Sequence, residues 1–304
     1  MKKHIVSFAL LVCLTSVAQS ATDYKRTEDV IYGRKFGTAL TLDVFQPDKP
    51  NGCGIVFMVS GGFFSSHEAI NAGSYRPFLE RGYTVFAVVH GSQPKFTISE
   101  IELDIHRAVR FIRHNAAQYG VKPDCLGITG GSAGGHLSLT MGTQGTKGDA
   151  SAKDPIDRES SEIQCVACFF PPTDFLNYGK ADEDAVGVGT LKQFKPAFGP
   201  LAETPDERQK LGREISPIYF VHSNQPPILI IHGDADTLVP IYQSQMFVKR
   251  CEEAGSRAKL VVREGKNHGW PEMVKDEGLF ADWFDYHLRG IKNGAQSSSS
   301  SSER

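Results

Sequence analysis

Short unbroken apolar runs alternate along this chain with longer stretches in which apolar positions recur every three or four residues. Residues 40–45 (Leu-Thr-Leu-Asp-Val-Phe) alternate as a half-buried strand does, whereas residues 54–59 (Gly-Ile-Val-Phe-Met-Val) and 83–89 are continuously apolar, as strands covered on both faces are. Thr97-Ile98-Ser99-Glu100 reads as a capping box. It opens a helix whose one face carries Ile101, Ile105, Val109, Ile112 and Ala116, with Gly120 as its stop. Further strands are predicted at 126–129, 164–170, 227–231 and 259–262, and further helices at 241–254 and 271–288. Residues 24–37 are polar and mixed, and 142–162 read as a long surface connection. Residues 176–216 contain no clear strand; Leu191, Phe194 and Phe198 are spaced among glycines, prolines and charges, which suits a small cap insertion covering a site. Strands alternating with helices imply a mostly parallel central sheet with helices on both faces, right-handed crossovers, and ligands gathered at the carboxyl ends of the strands.

Composition narrows this to one domain. The 304 residues, 40% of them hydrophobic, suffice for a single large α/β unit, placed at 24–292. A net charge of -2 with no long basic run gives no reason to expect nucleic acid or an anionic membrane surface as partner. Residues 1–20 order Lys2 and Lys3, an apolar run from Ile5 to Leu14, and small residues around Ser16, Ala18 and Ser20. That is the layout of a secretory signal peptide, too short to span a membrane, and it predicts a secreted or periplasmic protein. Residues 296–304, rich in serine, are expected to be disordered. Cys13 would leave with the leader, and the remaining Cys53, Cys125, Cys165, Cys168 and Cys251 cannot all pair internally. Cys125, Cys165 and Cys168 lie in apolar runs and are expected to act as small core hydrophobes. A redox or metal role for Cys165-x-x-Cys168 is not expected, because positions i and i+3 of a strand face opposite sides.

Chemistry concentrates after the predicted strands. Leu126-Gly127-Ile128-Thr129 runs into Gly130-Gly131-Ser132-Ala133-Gly134-Gly135-His136, the pattern of a strand, a strained turn carrying a serine, and a helix. Gly130 and Gly134 would keep side chains clear of the neighbouring backbone, and the Ala133 N–H would point to where an oxyanion forms. Ser132 is the candidate nucleophile. A serine hydroxyl needs a base poised near neutral pH, and His268, between the last strand and the last helix, fits that role. The imidazole in turn needs a carboxylate; Asp236 is preferred, with Asp234 assigned to loop backbone and Asp174 a more distant alternative. Ser132, Asp236, His268 is the chain order of the α/β-hydrolase fold. A second oxyanion donor is expected from the N–H of Gly62 or Phe63, in the loop after the 54–59 strand. Phe64, Phe170, Phe175 and Trp270 flank these landmarks and are candidates for a substrate pocket. His136, one helical turn past Ser132, is read as bonding neighbouring backbone, and His90 and His232 as satisfied core residues.

The Gly130–His136 segment, Pro171-Pro172-Thr173-Asp174, the stretch from Pro226-Pro227 through His232-Gly233-Asp234-Ala235-Asp236 to Val239-Pro240, and Asn267-His268-Gly269 together resemble secreted α/β-hydrolase esterases of the feruloyl and acetyl xylan esterase-like (BD-FAE-like) group. The resemblance covers nearly the whole chain from about Thr27 to Ile291. It implies a serine esterase acting through an acyl-enzyme, with Ser132, Asp236 and His268 in the matching positions and no metal or organic cofactor. Short-chain or aryl acyl esters, such as acetyl or feruloyl groups on plant polysaccharide, are the implied substrates. Where that group's oxyanion loop usually reads His-Gly-Gly-Gly, this chain has Ser60-Gly61-Gly62-Phe63. The competing readings are a prolyl oligopeptidase-type peptidase, against which no propeller-like repeat precedes the domain, and a catalytically silent binding module, against which no triad member is missing. A neutral imidazole base also predicts that activity falls below roughly pH 6 to 7.

Overall fold

The computed structural model describes residues 23–292, so the proposed leader and the serine-rich tail lie outside the described residues. Eight strands form one sheet: β1 (Tyr24–Lys35), β2 (Thr38–Pro47), β3 (Gly52–Met58), β4 (Thr84–Val89), β5 (Val121–Gly131), β6 (Cys165–Phe169), β7 (Ile228–Gly233) and β8 (Ala258–Arg263). Their spatial order is β1-β2-β4-β3-β5-β6-β7-β8. The pairs β1/β2 and β2/β4 are antiparallel, and every pair from β4/β3 to β7/β8 is parallel. The helices are α1 (Ala72–Leu79), α2 (Ile98–His114), α3 (Ala133–Gln144), α4 (Lys195–Phe198), α5 (Pro205–Ile215), α6 (Tyr242–Glu253) and α7 (Met273–Arg289).

Two apolar layers explain why the sheet strands are written as continuous runs. On one face Ile101, Ile105 and Ile112 of α2, Leu137 of α3 and Phe247 of α6 pack on Val56, Ile128 and Ile230. On the other, Tyr75 and Phe78 of α1 and Phe280 and Phe284 of α7 pack on Ile55, Val85 and Ile231. Each fully buried aromatic of this kind contributes roughly 2–3 kcal/mol. The Thr97–Glu100 capping box is present in both directions and fixes the start of α2.

Two features differ from the sequence expectation. β1 occupies the stretch without apolar alternation: it is an edge strand of which Tyr32 alone is buried, so burial left no period to read. Cys125 is not a free core thiol; it forms a disulfide with Cys53. The register Gly54↔Leu126 makes the two cysteines cross-strand neighbours on β3 and β5, a pairing fixed by sheet order. Cys165 and Cys168 do face opposite layers, and with Cys251 they are free and buried. The stretch 142–162 runs on the surface but is tied down, with Arg107 paired to Asp154 at 2.6 Å and to Asp157 at 2.8 Å.

Candidate active site

Ser132 sits between the last residue of β5 and the first of α3, at φ 55 and ψ -120. This conformation costs about 1–3 kcal/mol and is sustained by close packing. A Cβ on Gly130 would stand 2.7 Å from the Gly134 backbone, and one on Gly134 would stand 2.9 Å from Met58 O, so both flanking glycines are required by space. Ser132 N–H donates to Phe169 O at 3.1 Å, and its carbonyl accepts from His136 N–H at 2.9 Å.

The loops after β7 and β8 bring the other two side chains to the same rim. His268 Nε2 lies 2.9 Å from Ser132 Oγ, and His268 Nδ1 lies 2.7 Å from Asp236 Oδ2. Asp236 Oδ1 accepts from the N–H groups of Leu238 and Val239, each at 2.9 Å. The second oxygen is also 3.3 Å from His232 Nε2. Burial pushes the Asp236 carboxyl up, but hydrogen bonds from His232, His268 and the Val239 N–H together outweigh burial and hold it well below the usual carboxylate range. With Asp236 ionised, Nδ1 of His268 carries the proton and Nε2 is free to accept from Ser132. Asp234 instead accepts from Gly265 N–H at 2.6 Å, and Asp174 caps Leu176 N–H at 2.9 Å, so neither joins this chain of bonds.

Gly62 and Phe63 are the two central residues of a tight turn closed by reciprocal Gly61–Phe64 backbone bonds of 3.0 and 2.9 Å. Both take positive φ, 55 and 63. Among the described residues neither of their N–H groups has an acceptor, nor does the Ala133 N–H at the start of α3. The Phe63 side chain turns inward, 4% exposed, with its ring edge-on to His136 at 5.5 Å.

Two hollows meet at Ser132. One, of about 340 Å³, is apolar and walled by Tyr178, Leu191, Phe194, Phe198, Leu238 and Val239, with Gly62, Phe63 and Ala133 at its base. The other, of about 360 Å³, carries Ser60, Asn71 and Ser74 beside Phe64, Tyr75 and Phe170. Of the pocket residues expected from sequence, Phe64 and Phe170 line the second hollow, and the Phe170 ring also backs His268 with centroids 4.4 Å apart. Phe175 does not line either: it is wholly buried, tilted against His136 and edge-on to Phe198. Trp270 is likewise behind the wall, edge-on to Phe170 at 5.9 Å with its indole N–H on Asp276 at 2.7 Å. Sequence proximity to a landmark could not separate these two from true wall residues, because direction is set by the turn that follows each strand. The 176–216 segment supplies Tyr178, Leu191, Phe194 and Phe198; the last three stood out only as apolar residues in a polar stretch.

The buried histidines divide. His232 is more than core filling: its Nδ1 accepts from Ser244 Oγ at 2.7 Å and its Nε2 donates to Val239 O at 2.8 Å, bracing the loop that holds Asp236. His136 bonds Pro172 O at 3.2 Å, not neighbouring helix backbone, and lies 3.5 Å from Glu102. His90 Nδ1 donates to Gly91 O at 2.6 Å, but its Nε2 has no partner among the described residues, so it is not fully satisfied. Glu28, Asp43 and His67 bring possible metal ligands within 4.8 Å of one another. Arg26 already binds Asp43 there, Nη2 to Oδ2 at 2.6 Å.

A mostly parallel eight-stranded sheet, with a serine on the strained turn after its central strand and loops meeting that serine at one rim, defines an α/β-hydrolase. The chain belongs within that fold to the BD-FAE family, whose model matches residues 42–251. It is 26% identical over 249 residues to the probable carboxylic ester hydrolase LipM of Mycobacterium tuberculosis, covering 80% of this chain and 55% of that protein. It is 28% identical over 240 residues to esterase LipQ of the same organism, covering 76% of this chain and 54% of that one. The chain thus spans about half the length of the curated relatives it matches. Among solved structures, a truncated carbohydrate esterase from gut microbiota superposes with a TM-score of 0.75 at 27% identity, over 88% of this chain and 98% of that one. Among the described residues, no helix is long and apolar enough to cross a membrane.

Proposed function

We propose that this chain is a serine carboxylic-ester hydrolase acting on short-chain or aryl acyl esters through an acyl-enzyme. The observation that carries the reading is the continuous line of hydrogen bonds from Asp236 through His268 to Ser132, ending between two hollows. Ser132 Oγ attacks the ester carbonyl carbon while its proton passes to His268 Nε2; the imidazolium so formed is stabilised by Asp236. The N–H groups of Ala133 and of Gly62 or Phe63 receive the oxyanion. Collapse of the tetrahedral adduct breaks the bond to the alcohol, which leaves with the proton from His268, and water repeats the sequence to free the acid.

The apolar hollow suits the acyl group, and the second hollow, with Asn71 and Ser74 in its wall, suits the alcohol. Together with the carbohydrate esterase likeness, this favours acyl groups carried on a saccharide hydroxyl, acetyl and feruloyl foremost. No metal or organic cofactor enters these steps. Export to an oxidising compartment is part of the proposal; the leader-like residues 1–20 and the Cys53–Cys125 disulfide support it.

The test is Ser132→Ala assayed on p-nitrophenyl acetate and on acetylated and feruloylated saccharides, with fluorophosphonate labelling of the wild type. Loss of turnover by about 10⁴-fold or more is expected. Wild-type hydrolysis by the alanine variant would end the proposal, and cleavage of aminoacyl-anilides without ester turnover would replace it with a peptidase.

A further inference from the structure

The oxyanion turn raises a physical problem that the triad does not. Phe63 holds a bulky side chain at φ 63, a region that costs an L-residue about 1–2 kcal/mol, in the turn that carries the proposed oxyanion donors. Ser60 Oγ has no hydrogen-bond partner among the described residues, so it does not brace the loop. Something else must hold the turn still.

Gln93, in the loop after β4, holds it from behind. Its side chain is buried, 4% exposed, and its Nε2 donates to the Gly62 carbonyl; its backbone N–H donates to the Phe63 carbonyl at 3.1 Å. The facing group must be the NH₂ end of the amide, because a carbonyl can only accept. The loop is itself anchored: Gly91 N–H donates to Asp104 Oδ2 at 2.9 Å, Lys35 pairs with Asp104 Oδ1 at 2.6 Å, and Phe96 N–H donates to Ser92 O at 3.2 Å. Ser92 Oγ also accepts from Ser65 N–H at 3.2 Å, tying the same loop to the far end of the turn.

The geometry of the peptide group turns this clamp into a statement about catalysis. In a trans peptide the carbonyl of one residue and the N–H of the next point in opposite directions. Fixing Gly62 O therefore fixes the direction of the Phe63 N–H, one of the two proposed oxyanion donors in this turn. The same reasoning applied to Phe63 O concerns Phe64 N–H, which is already spent on Gly61 O at 2.9 Å. The side-chain bond of Gln93 is thus the one that aims an unpartnered donor.

We infer that Gln93 is a positioning residue for the oxyanion hole: its side-chain amide orients the Phe63 N–H toward the tetrahedral adduct. The inference rests on the esterase reading above. Removing an oxyanion donor outright costs about 10²–10³-fold; misaiming one while leaving it in place should cost about tenfold. Both acylation and deacylation pass through an oxyanion, so both slow together, and KM stays nearly fixed while kcat falls.

The experiment uses Gln93→Met, which keeps the volume and the backbone bond but cannot donate, and Gln93→Leu, a second side chain without a donor. Activity is expressed per fluorophosphonate-titrated site, so misfolded material does not count. Both variants should lose about tenfold in kcat with KM within about twofold. Affinity for an alkyl trifluoromethyl ketone, which forms an oxyanion on the serine, should fall by the same factor as kcat/KM, for short and longer acyl chains alike. A loss carried by KM alone, wild-type kcat per titrated site, or unchanged ketone affinity would each overturn the role of Gln93. If the wild type neither turns over esters nor binds the ketone, the esterase reading itself fails, and that outcome is distinct.

Discussion

Replacing Asp236 by Asn exchanges one oxygen for an NH₂ group and leaves the shape of the side chain unchanged, so the consequences can be followed atom by atom. Asp236 Oδ1 takes two backbone N–H bonds of 2.9 Å, from Leu238 and Val239, and an amide oxygen satisfies them equally well. The NH₂ must then occupy the Oδ2 position, 2.7 Å from His268 Nδ1 and 3.3 Å from His232 Nε2. His232 Nε2 already donates to Val239 O, so it cannot become an acceptor without breaking that bond. His268 Nδ1 can, and doing so moves its proton to Nε2, where it points at Ser132 Oγ. The imidazole is then a donor to the nucleophile, and the base is lost.

The expected fall in kcat is about 10⁴-fold, or about 5–6 kcal/mol of transition-state stabilisation, with KM little changed. Donor facing donor at His232 should also lower stability by about 1–3 kcal/mol. Steady-state hydrolysis of p-nitrophenyl acetate and thermal melting separate the two effects. Asp234→Asn is the control: its carboxylate accepts from Gly265 N–H and touches no imidazole, so kcat should stay within a few-fold of wild type. An Asp236→Asn enzyme with more than a tenth of wild-type kcat, or an Asp234→Asn enzyme equally impaired, would refute the assignment.

Other perturbations test other parts. Phe194 closes the apolar hollow over the oxyanion turn, its ring 2.5 Å from where a Cβ on Gly62 would lie; Phe194→Ala should raise kcat/KM for hexanoyl relative to acetyl esters about tenfold, and an unchanged ratio would place the acyl group elsewhere. Burial pushes the Glu277 carboxyl up to about 8, with the Ser74 hydroxyl only partly offsetting it. Its folded pKa lies above its unfolded one, so its contribution to stability is fully present below about pH 4.5 and is lost as the pH climbs through about 8. Glu277→Gln should accordingly melt like wild type at pH 4 and be more stable at pH 8 by on the order of 2–4 kcal/mol, and parallel melting curves across that range would contradict this. The Cys53–Cys125 disulfide closes a loop of 72 residues, so the paired serine variant should lose about 3–4 kcal/mol of stability in urea titrations; a midpoint unchanged from wild type would show that the cross-link does not constrain the unfolded chain.

The sequence by itself determined the elements whose burial writes a period into it. Unbroken runs such as 54–59 are what a strand between two helix layers must look like, the Thr97–Glu100 box marks a helix start through local hydrogen bonds, and Gly130 is demanded by the Gly134 backbone four residues on, whereas Gly134 answers to Met58 on the neighbouring strand. The order of Ser132, Asp236 and His268 was legible for the same reason, since each follows its own strand. Tertiary structure alone decided what depends on which strands lie side by side and which way a loop turns. Cys53 meets Cys125 only because β3 and β5 are neighbours. Phe175 and Trp270 face inward while Phe194 and Leu191 face the hollow, a choice no local pattern records. Edge strand β1 buries too little to show alternation. The grip of Gln93 on a turn 30 residues earlier belongs to the same class: a hydrogen bond between two loops is invisible to periodicity and exists only once β3 and β4 have paired.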